Sequence, residues 1–409
     1  MQPKKKLMPK SAFLVKKYER HFRMMFIAFV TVLCFVFFTR SGSSEPAAAV
    51  TPKEVEPAVS HALAEKSQLL KPHADIVQNV FYPEDDGKRE NATMVTLARN
   101  KDLYSLVTSV RHVEDRFNKN YHYDWVFLND EPFSEEFKAV MTALVSGTAK
   151  FGVIPTEHWS FPDWIDQDKA AQVRQQMKED EIIYGDSISY RHMCRYESGF
   201  FWRHELLNDY AWYWRVEPDI ELFCDINYDV FKFMKQNNKK YGFILSVSEY
   251  EKTIPTLWET TKNFKKEFPQ HIKKNNLESF VSDDGGKTYN MCHFWSNFEI
   301  ASLDLWRSPA YRDYFDYLDK AGGFFYERWG DAPIHSIAAA LFLEPEEFHF
   351  FDGIGYYHPG FTSCPVEEPI RLQNKCVCNP AKDVTWGKGY FCTRQYFKAR
   401  GLKVPKEVR

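Results

Sequence analysis

Glu217-Pro218-Asp219 is the stretch of this 409-residue chain whose residue types and spacing most directly suggest chemistry. It follows Tyr213-Trp214-Arg215-Val216, which reads as a buried strand, so two carboxylates flank a proline at a strand end. The proline stiffens the backbone and aims the carboxylate oxygens into the space beyond the strand. Carboxylates placed this way suit an oxygen-seeking divalent cation, Mn²⁺ or Mg²⁺, that bridges the phosphates of a sugar nucleotide. Arg215 adds a cation that can meet a diphosphate or hold a carboxylate. Read alone, the tripeptide is equally a turn with proline at its second position. Other chemistries lack their signatures. Gly322-Gly323, Gly285-Gly286 and Gly353-x-Gly355 do not sit between a strand and a helix with dinucleotide-binding spacing. Neither G-x-S-x-G nor H-E-x-x-H occurs.

The elements that must position these residues alternate in type. Thr93–Leu97 reads as a strand, and Leu103, Leu106, Val107, Val110 and Val113 mark a helix over Leu103–Asn118. Trp125–Leu128 is a second strand, a helix follows near Phe133–Ser146, and Ala149–Ile154 is a third strand. Ser189–Asn208 reads as one long helix, Tyr213–Val216 as a buried strand and Tyr241–Val247 as another. This order predicts an α/β fold around a mostly parallel sheet, in which ligands sit beyond the carboxyl ends of the strands. Arg99, just past the first strand, is a candidate contact for a nucleotide base. No 20- to 50-residue period recurs, which excludes solenoids and propellers. Trp212, Trp214, Trp295, Trp329, Tyr356 and Tyr357 read mainly as core, with some available to stack on a sugar or base.

Composition excludes disorder: 44% of residues are hydrophobic and 17% aromatic, enough apolar surface for a large core. The net charge of −3 conceals an asymmetry, because eight Lys/Arg against Glu19 give the first 23 residues about +7 and leave about −10 to the rest. An acidic body argues against a nucleic-acid partner. Residues 24–39, MMFIAFVTVLCFVFFT, carry no charge, Pro or Gly and reach about 24 Å as a helix, adequate for a thin early-secretory membrane. The basic flank keeps residues 1–23 cytoplasmic, which predicts a type II signal anchor; a cleaved signal peptide is the rival, weakened by the absence of a small-x-small site. Residues 40–85, rich in Ala, Pro, Ser and Glu, read as a stem, and 86–409 as the lumenal body. Cys194, Cys224, Cys292, Cys364, Cys376, Cys378 and Cys392 fit disulfides in an oxidising compartment, with at least one free thiol; C-x-C without a nearby His is a poor zinc pattern. Asn91-Ala92-Thr93 is a glycosylation sequon.

Tyr190-Arg191-His192-Met193-Cys194-Arg195 and Tyr213–Asp219 closely resemble the fungal Golgi α-1,2-mannosyltransferases of glycosyltransferase family 15. The resemblance continues through Asn290–Ile300, Arg328–His335 and Tyr356–Gly360, and spans Asn91 to about Arg394. It implies a GT-A-like, modified Rossmann-type fold, GDP-mannose as donor and a Mn²⁺ cofactor. It further implies Glu217 and His358 as the metal ligands, Glu299 as the proposed nucleophile, Tyr190 lining the donor and acceptor site, and Asp331 close to the reaction centre. Arg215 and Asp219 then belong to the nucleotide-binding set. Each position also has an ordinary reading: His358 a loop histidine, Glu299 an element-end carboxylate whose neighbours Phe298 and Ile300 favour burial, Asp331 a cap ahead of Pro333. The implied activity is retaining transfer of mannose to the 2-hydroxyl of an acceptor mannose on O- or N-linked glycoprotein chains, in the Golgi membrane. The alternatives are a catalytically inactive mannan-binding or scaffold protein of the same fold, and a transferase of another sugar nucleotide.

Overall fold

A computed structural model describes Gln78, residues 80–84 and residues 86–408. The expected tail, the 24–39 anchor and nearly all of the 40–85 stem lie outside the described residues. No helix among the described residues is long and apolar enough to cross a membrane.

β1 (Ala92–Leu97), α1 (Leu103–Arg116), β2 (Asp124–Asn129), α2 (Glu135–Leu144) and β3 (Ala149–Val153) all form within two residues of where the periodicity predicts. β1 and β2 are buried along nearly their whole length, as expected of strands covered on both faces. α1 turns Leu103, Leu106, Val110 and Val113 inward, and Ser134 caps α2 by accepting from the Phe137 N–H.

The middle of the chain departs from expectation at two places. The helix predicted over Ser189–Asn208 is α3 (Ile188–Gly199), followed by two short 3₁₀ turns. At Gly199 a Cβ would collide with the Phe315 ring, and five residues later the imidazole of His204 caps the second turn by accepting from Leu206 N–H. β4 (Trp212–Val216) lies where predicted, and β5 (Glu221–Leu222) follows the Glu-Pro-Asp turn. The strand predicted over Tyr241–Val247 is divided: β6 (Tyr241–Phe243) joins the large sheet, while β7 (Ser246–Ser248) pairs antiparallel with β8 (Cys292–Phe294). The chain switches sheets because a second partner competes for it just after Phe243.

β9 (Phe298–Ser302), α4 (Pro309–Ala321), α5 (Asp331–Phe342), β10 (Phe348–Phe350), β11 (Tyr356–His358) and β12 (Phe361–Ser363) complete the elements that matter for the site. The large sheet has the order β10-β6-β9-β4-β1-β2-β3; all pairs are parallel except those of β9, which runs antiparallel to both β4 and β6. A second sheet, β12-β11-β5, is antiparallel. One core gathers on each face of the large sheet, with Trp214, Phe298 and Phe231 on one side and Tyr213, Tyr241 and Ile334 on the other.

Three disulfides close the carboxyl-terminal region: Cys224–Cys376, Cys292–Cys392 and Cys364–Cys378. Among the described residues Cys194 is the free thiol, buried in α3. The disulfide reading therefore holds over zinc. Cys224 sits two residues past β5, so its bridge ties the 376 region to the sheet that carries His358.

Candidate active site

Alternation along β4 divides its side chains between the two cores. Trp212, Trp214 and Val216 face one; Tyr213 and Arg215 face the other, towards α3 and α5. Glu217 is the first residue past the strand, and the turn that follows holds Asp219 at φ 64°, a left-handed conformation that Asp tolerates better than most residues.

Arg215 is the hub. Its guanidinium is buried and meets three carboxylates: Nε donates to Glu217 Oε1 at 2.7 Å, Nη1 donates to Asp331 Oδ2 at 2.6 Å, and Nη1 lies 3.6 Å from Glu197 Oε2. Ser296 Oγ also donates to Asp331 Oδ2, at 2.7 Å. Burial works against the arginine charge, but the three carboxylates more than offset it and hold the guanidinium protonated. Burial likewise opposes the Asp331 charge, and the Arg215 cation outweighs it, so this carboxyl ionises below its usual range. Glu197 gains less from Arg215 than it loses to burial, and its carboxyl is pushed up to about 7. Of the two roles open to Arg215, the structure shows the carboxylate-holding one.

Asp331 is the first residue of α5, with Gly330 as the cap. Its carboxylate turns to Arg215 and Ser296 instead of capping its own helix. Tyr190 is the third residue of α3, fixed by its N–H donating to Ser187 Oγ at 3.1 Å. Its ring stacks on Tyr184 at 4.6 Å, and the Arg328 guanidinium lies 5.0 Å from the ring centre. Burial raises the phenol far above its ordinary value, so the hydroxyl stays protonated.

His358 ends β11. The ladder pairing Tyr356 with Leu222 and Tyr357 with Glu221 carries His358 towards the Glu-Pro-Asp turn. Its Nδ1 is buried without a hydrogen-bond partner, and its ring meets Trp295 edge-on at 4.8 Å. Burial lowers its pKa, aided by Arg215, although the Glu217 and Asp219 charges pull the other way. A neutral imidazole with an unused nitrogen beside a carboxylate is a fitting donor pair for Mn²⁺. No three His, Cys, Asp or Glu side chains among the described residues gather closely enough to hold a metal. A cation at Glu217 and His358 therefore needs phosphate and water oxygens to complete its coordination.

Glu299 is fully buried in β9, directly across from Arg215 in the β4–β9 ladder. Oε1 accepts from the Tyr213 hydroxyl; Oε2 accepts from the Tyr241 hydroxyl at 2.7 Å and faces His335 Nδ1 at 3.1 Å. Burial opposes the charge, but His335 and the two tyrosines hold this carboxyl below its usual range. The nucleophile implied for Glu299 would need a lone pair turned to the crevice, and this carboxylate turns both oxygens inward. Arg99 lies at the carboxyl end of β1, exposed and closed onto Asp102 at 3.5 Å, and joins none of these contacts.

Sequence reasoning missed Glu197, Ser296 and His335. Ser296 and His335 lie inside the resembling motifs, and His335 stands four residues after Asp331, on the same helix face. Glu197 gave only the weak signal of an acidic residue amid the inward-facing positions of its helix.

This fold and site define a GT-A-like glycosyltransferase. The chain belongs to the glycolipid 2-alpha-mannosyltransferase family, glycosyltransferase family 15, whose sequence profile matches residues 50–401. It is 62% identical over 405 residues to the probable mannosyltransferase KTR3 of Saccharomyces cerevisiae, covering 99% of each chain. It is 66% identical to glycolipid 2-alpha-mannosyltransferase 1 of Candida albicans over 77% of this chain and 73% of that one. Among solved structures it is similar to core-mannan synthase A of Aspergillus fumigatus in its Mn/GDP form, with a TM-score of 0.73, 37% identity, and coverage of 82% of this chain and 94% of that one. The mannosyltransferase Ktr4p of S. cerevisiae in complex with GDP gives a TM-score of 0.75 at 35% identity, covering 89% and 95%.

Proposed function

We propose that this enzyme transfers mannose from GDP-mannose to the 2-hydroxyl of a mannose-terminated glycoprotein glycan, with retention of configuration. The observation that carries this reading is the buried, unpartnered Nδ1 of His358 beside the Glu217 carboxylate that Arg215 orients. A Mn²⁺ ion held there would neutralise charge developing on the departing diphosphate. The chain's own residues do the rest. Arg215 fixes Glu217 and Asp331 in one geometry, and the protonated Tyr190 hydroxyl orients the sugar hydroxyls near Asp331. Asp219 and Arg99 are the candidate contacts to the nucleotide. Because Glu299 is covered and turns both oxygens to donors, retention favours a front-face path, in which the leaving phosphate accepts the acceptor's proton.

The test is a panel of sugar nucleotides with an α-mannoside acceptor, run with and without Mn²⁺. Transfer from GDP-mannose alone, abolished by chelator and restored by Mn²⁺, is expected. Transfer from another donor would replace the substrate assignment, and no transfer from any donor would favour a mannan-binding protein.

The reading extends to location. Residues 24–39 anchor the chain in the Golgi membrane, 40–85 hold the body away from it, and 86–409 lie in the lumen. Three disulfides and an exposed Asn91 sequon support an oxidising compartment. Removing residues 1–85 is expected to yield secreted, active enzyme; an inactive truncation with intact disulfides would move the boundary.

A further inference from the structure

Glu299 and His335 stand at one side of a buried rectangle of charge. Asp331 and His335 are i and i+4 on α5 and share the face that meets the sheet. Arg215 and Glu299 are register partners on β4 and β9, so their side chains rise on one face of that sheet. Helix meets sheet as Asp331 on Arg215 at 2.6 Å and His335 on Glu299 at 3.1 Å, with the signs alternating around the four corners.

The proton inventory follows from the partners. His335 Nε2 lies 3.1 Å from the backbone carbonyl oxygen of Glu197, which can only accept, so Nε2 carries a proton. Nδ1 faces an ionised carboxylate, so it also carries one, and the ring is an imidazolium. Trp306 stacks on that ring at 4.2 Å, and its Nε1 donates to the Tyr213 hydroxyl at 2.8 Å, leaving that hydroxyl to donate to Glu299. A nucleophile must bring a lone pair to about 3–3.5 Å from the sugar carbon. Glu299 is wholly covered and holds three donors on its two oxygens.

We propose that Glu299 and His335 form a positioning pair, which locks α5 onto β9 so that Asp331 stays on Arg215, and that Glu299 acts through this helix and forms no bond to the sugar. The proposal rests on the mannosyl-transfer reading for its assay. If that reading fails, no variant shows transfer and the wild type shows none either, which separates the two failures.

The test uses the full chain in detergent. Glu299→Gln and His335→Gln are expected to lower kcat by similar factors of about 10 to 100, with melting temperature and GDP affinity recorded alongside. The double variant is expected to fall no more than about threefold below the worse single, because both act through one contact. Multiplicative losses, or a mannosyl ester found on Glu299 by mass spectrometry with a slow-turnover fluorinated donor, would overturn the proposal. A measurement on the wild type stands should the variants fold poorly. With ¹⁵N-labelled histidine, one imidazole is expected to keep both ring protons at a pH where ordinary histidines have lost one. Glu299, Asp331 and Glu197 favour that charge, Arg215 and burial oppose it, and the facing Tyr213, Tyr241 and Tyr311 hydroxyls remain neutral. Absence of such a signal removes the imidazolium and the pair with it.

Discussion

Glu217 and Glu299 are both glutamates beside Arg215, and the chain treats them in opposite ways. Glu217 lies past the end of β4, keeps 22% of its side chain exposed, and gives Arg215 one oxygen while the other is free for the crevice. Glu299 lies inside β9, has no exposure, and turns both oxygens to donors. Because β9 runs antiparallel to β4, its position opposite Arg215 falls within the strand, whereas β4 itself runs out into the space where ligands of such sheets bind. Residue type therefore does not distinguish the carboxylate that can meet substrate from the one that holds a helix in place. Distance from the carboxyl end of the strand does.

The most damaging break to this division is Arg215→Gln, which removes the cation shared by three carboxylates. Losing one partner of a buried ion pair costs about 3–5 kcal/mol, and here Asp331 and Glu197 are both left buried and unpaired. Urea titration is expected to show that loss, with no measurable transfer. Wild-type stability from Arg215→Gln would mean that the hub carries no structural weight.

Glu197→Gln sharpens the same point through pH. Burial holds the Glu197 carboxyl at about 7 in the folded chain, above an ordinary glutamate. Between about pH 4.5 and 7 the folded state therefore keeps a proton that the unfolded state has released, and stability falls as pH rises through that window. The glutamine does not titrate, so its stability relative to wild type should rise by up to about 3 kcal/mol between pH 5 and 8. Parallel stability profiles would show that Glu197 stays ionised throughout.

At the open end, His358→Ala is expected to leave folding nearly intact and to weaken apparent Mn²⁺ affinity at least ~tenfold. Unchanged metal dependence would detach His358 from the cation site.

Much of the scaffold was legible in the sequence. The first βαβαβ run follows from apolar periodicity alone, and Phe298 and Ile300 correctly pointed to burial of Glu299. The helix break at Gly199 was not legible, because its cause is the ring of Phe315, more than a hundred residues away. Nor was the split of Tyr241–Val247, which depends on a partner strand near Cys292. Arg215 could be read as a diphosphate or a carboxylate ligand until its neighbours were in place. Local pattern carries element type; it does not carry which charges meet.

The finest test compares one hydrogen bond from each end. Ser296 Oγ donates to Asp331 Oδ2 at 2.7 Å, and the Tyr241 hydroxyl donates to Glu299 Oε2 at the same distance. Ser296→Ala and Tyr241→Phe each delete one donor to a buried carboxylate while leaving its cation, Arg215 or His335, in place. A hydrogen bond of this kind is worth about 1–1.5 kcal/mol, somewhat more with a charged acceptor. If the division is right, the two losses appear in different observables. Without Ser296, Asp331 pivots on Arg215, and with Asp331 at the proposed reaction centre kcat should fall about five- to tenfold on that conversion, with a small change in melting temperature. Without the Tyr241 hydroxyl, Glu299 keeps His335 and Tyr213 and α5 stays docked, so the loss should appear mainly as stability, with kcat within about threefold of wild type. If Tyr241→Phe instead lost rate as heavily as Ser296→Ala at unchanged stability, Glu299 would be close enough to the chemistry to feel a single donor, and the line drawn between the two carboxylates would be in the wrong place.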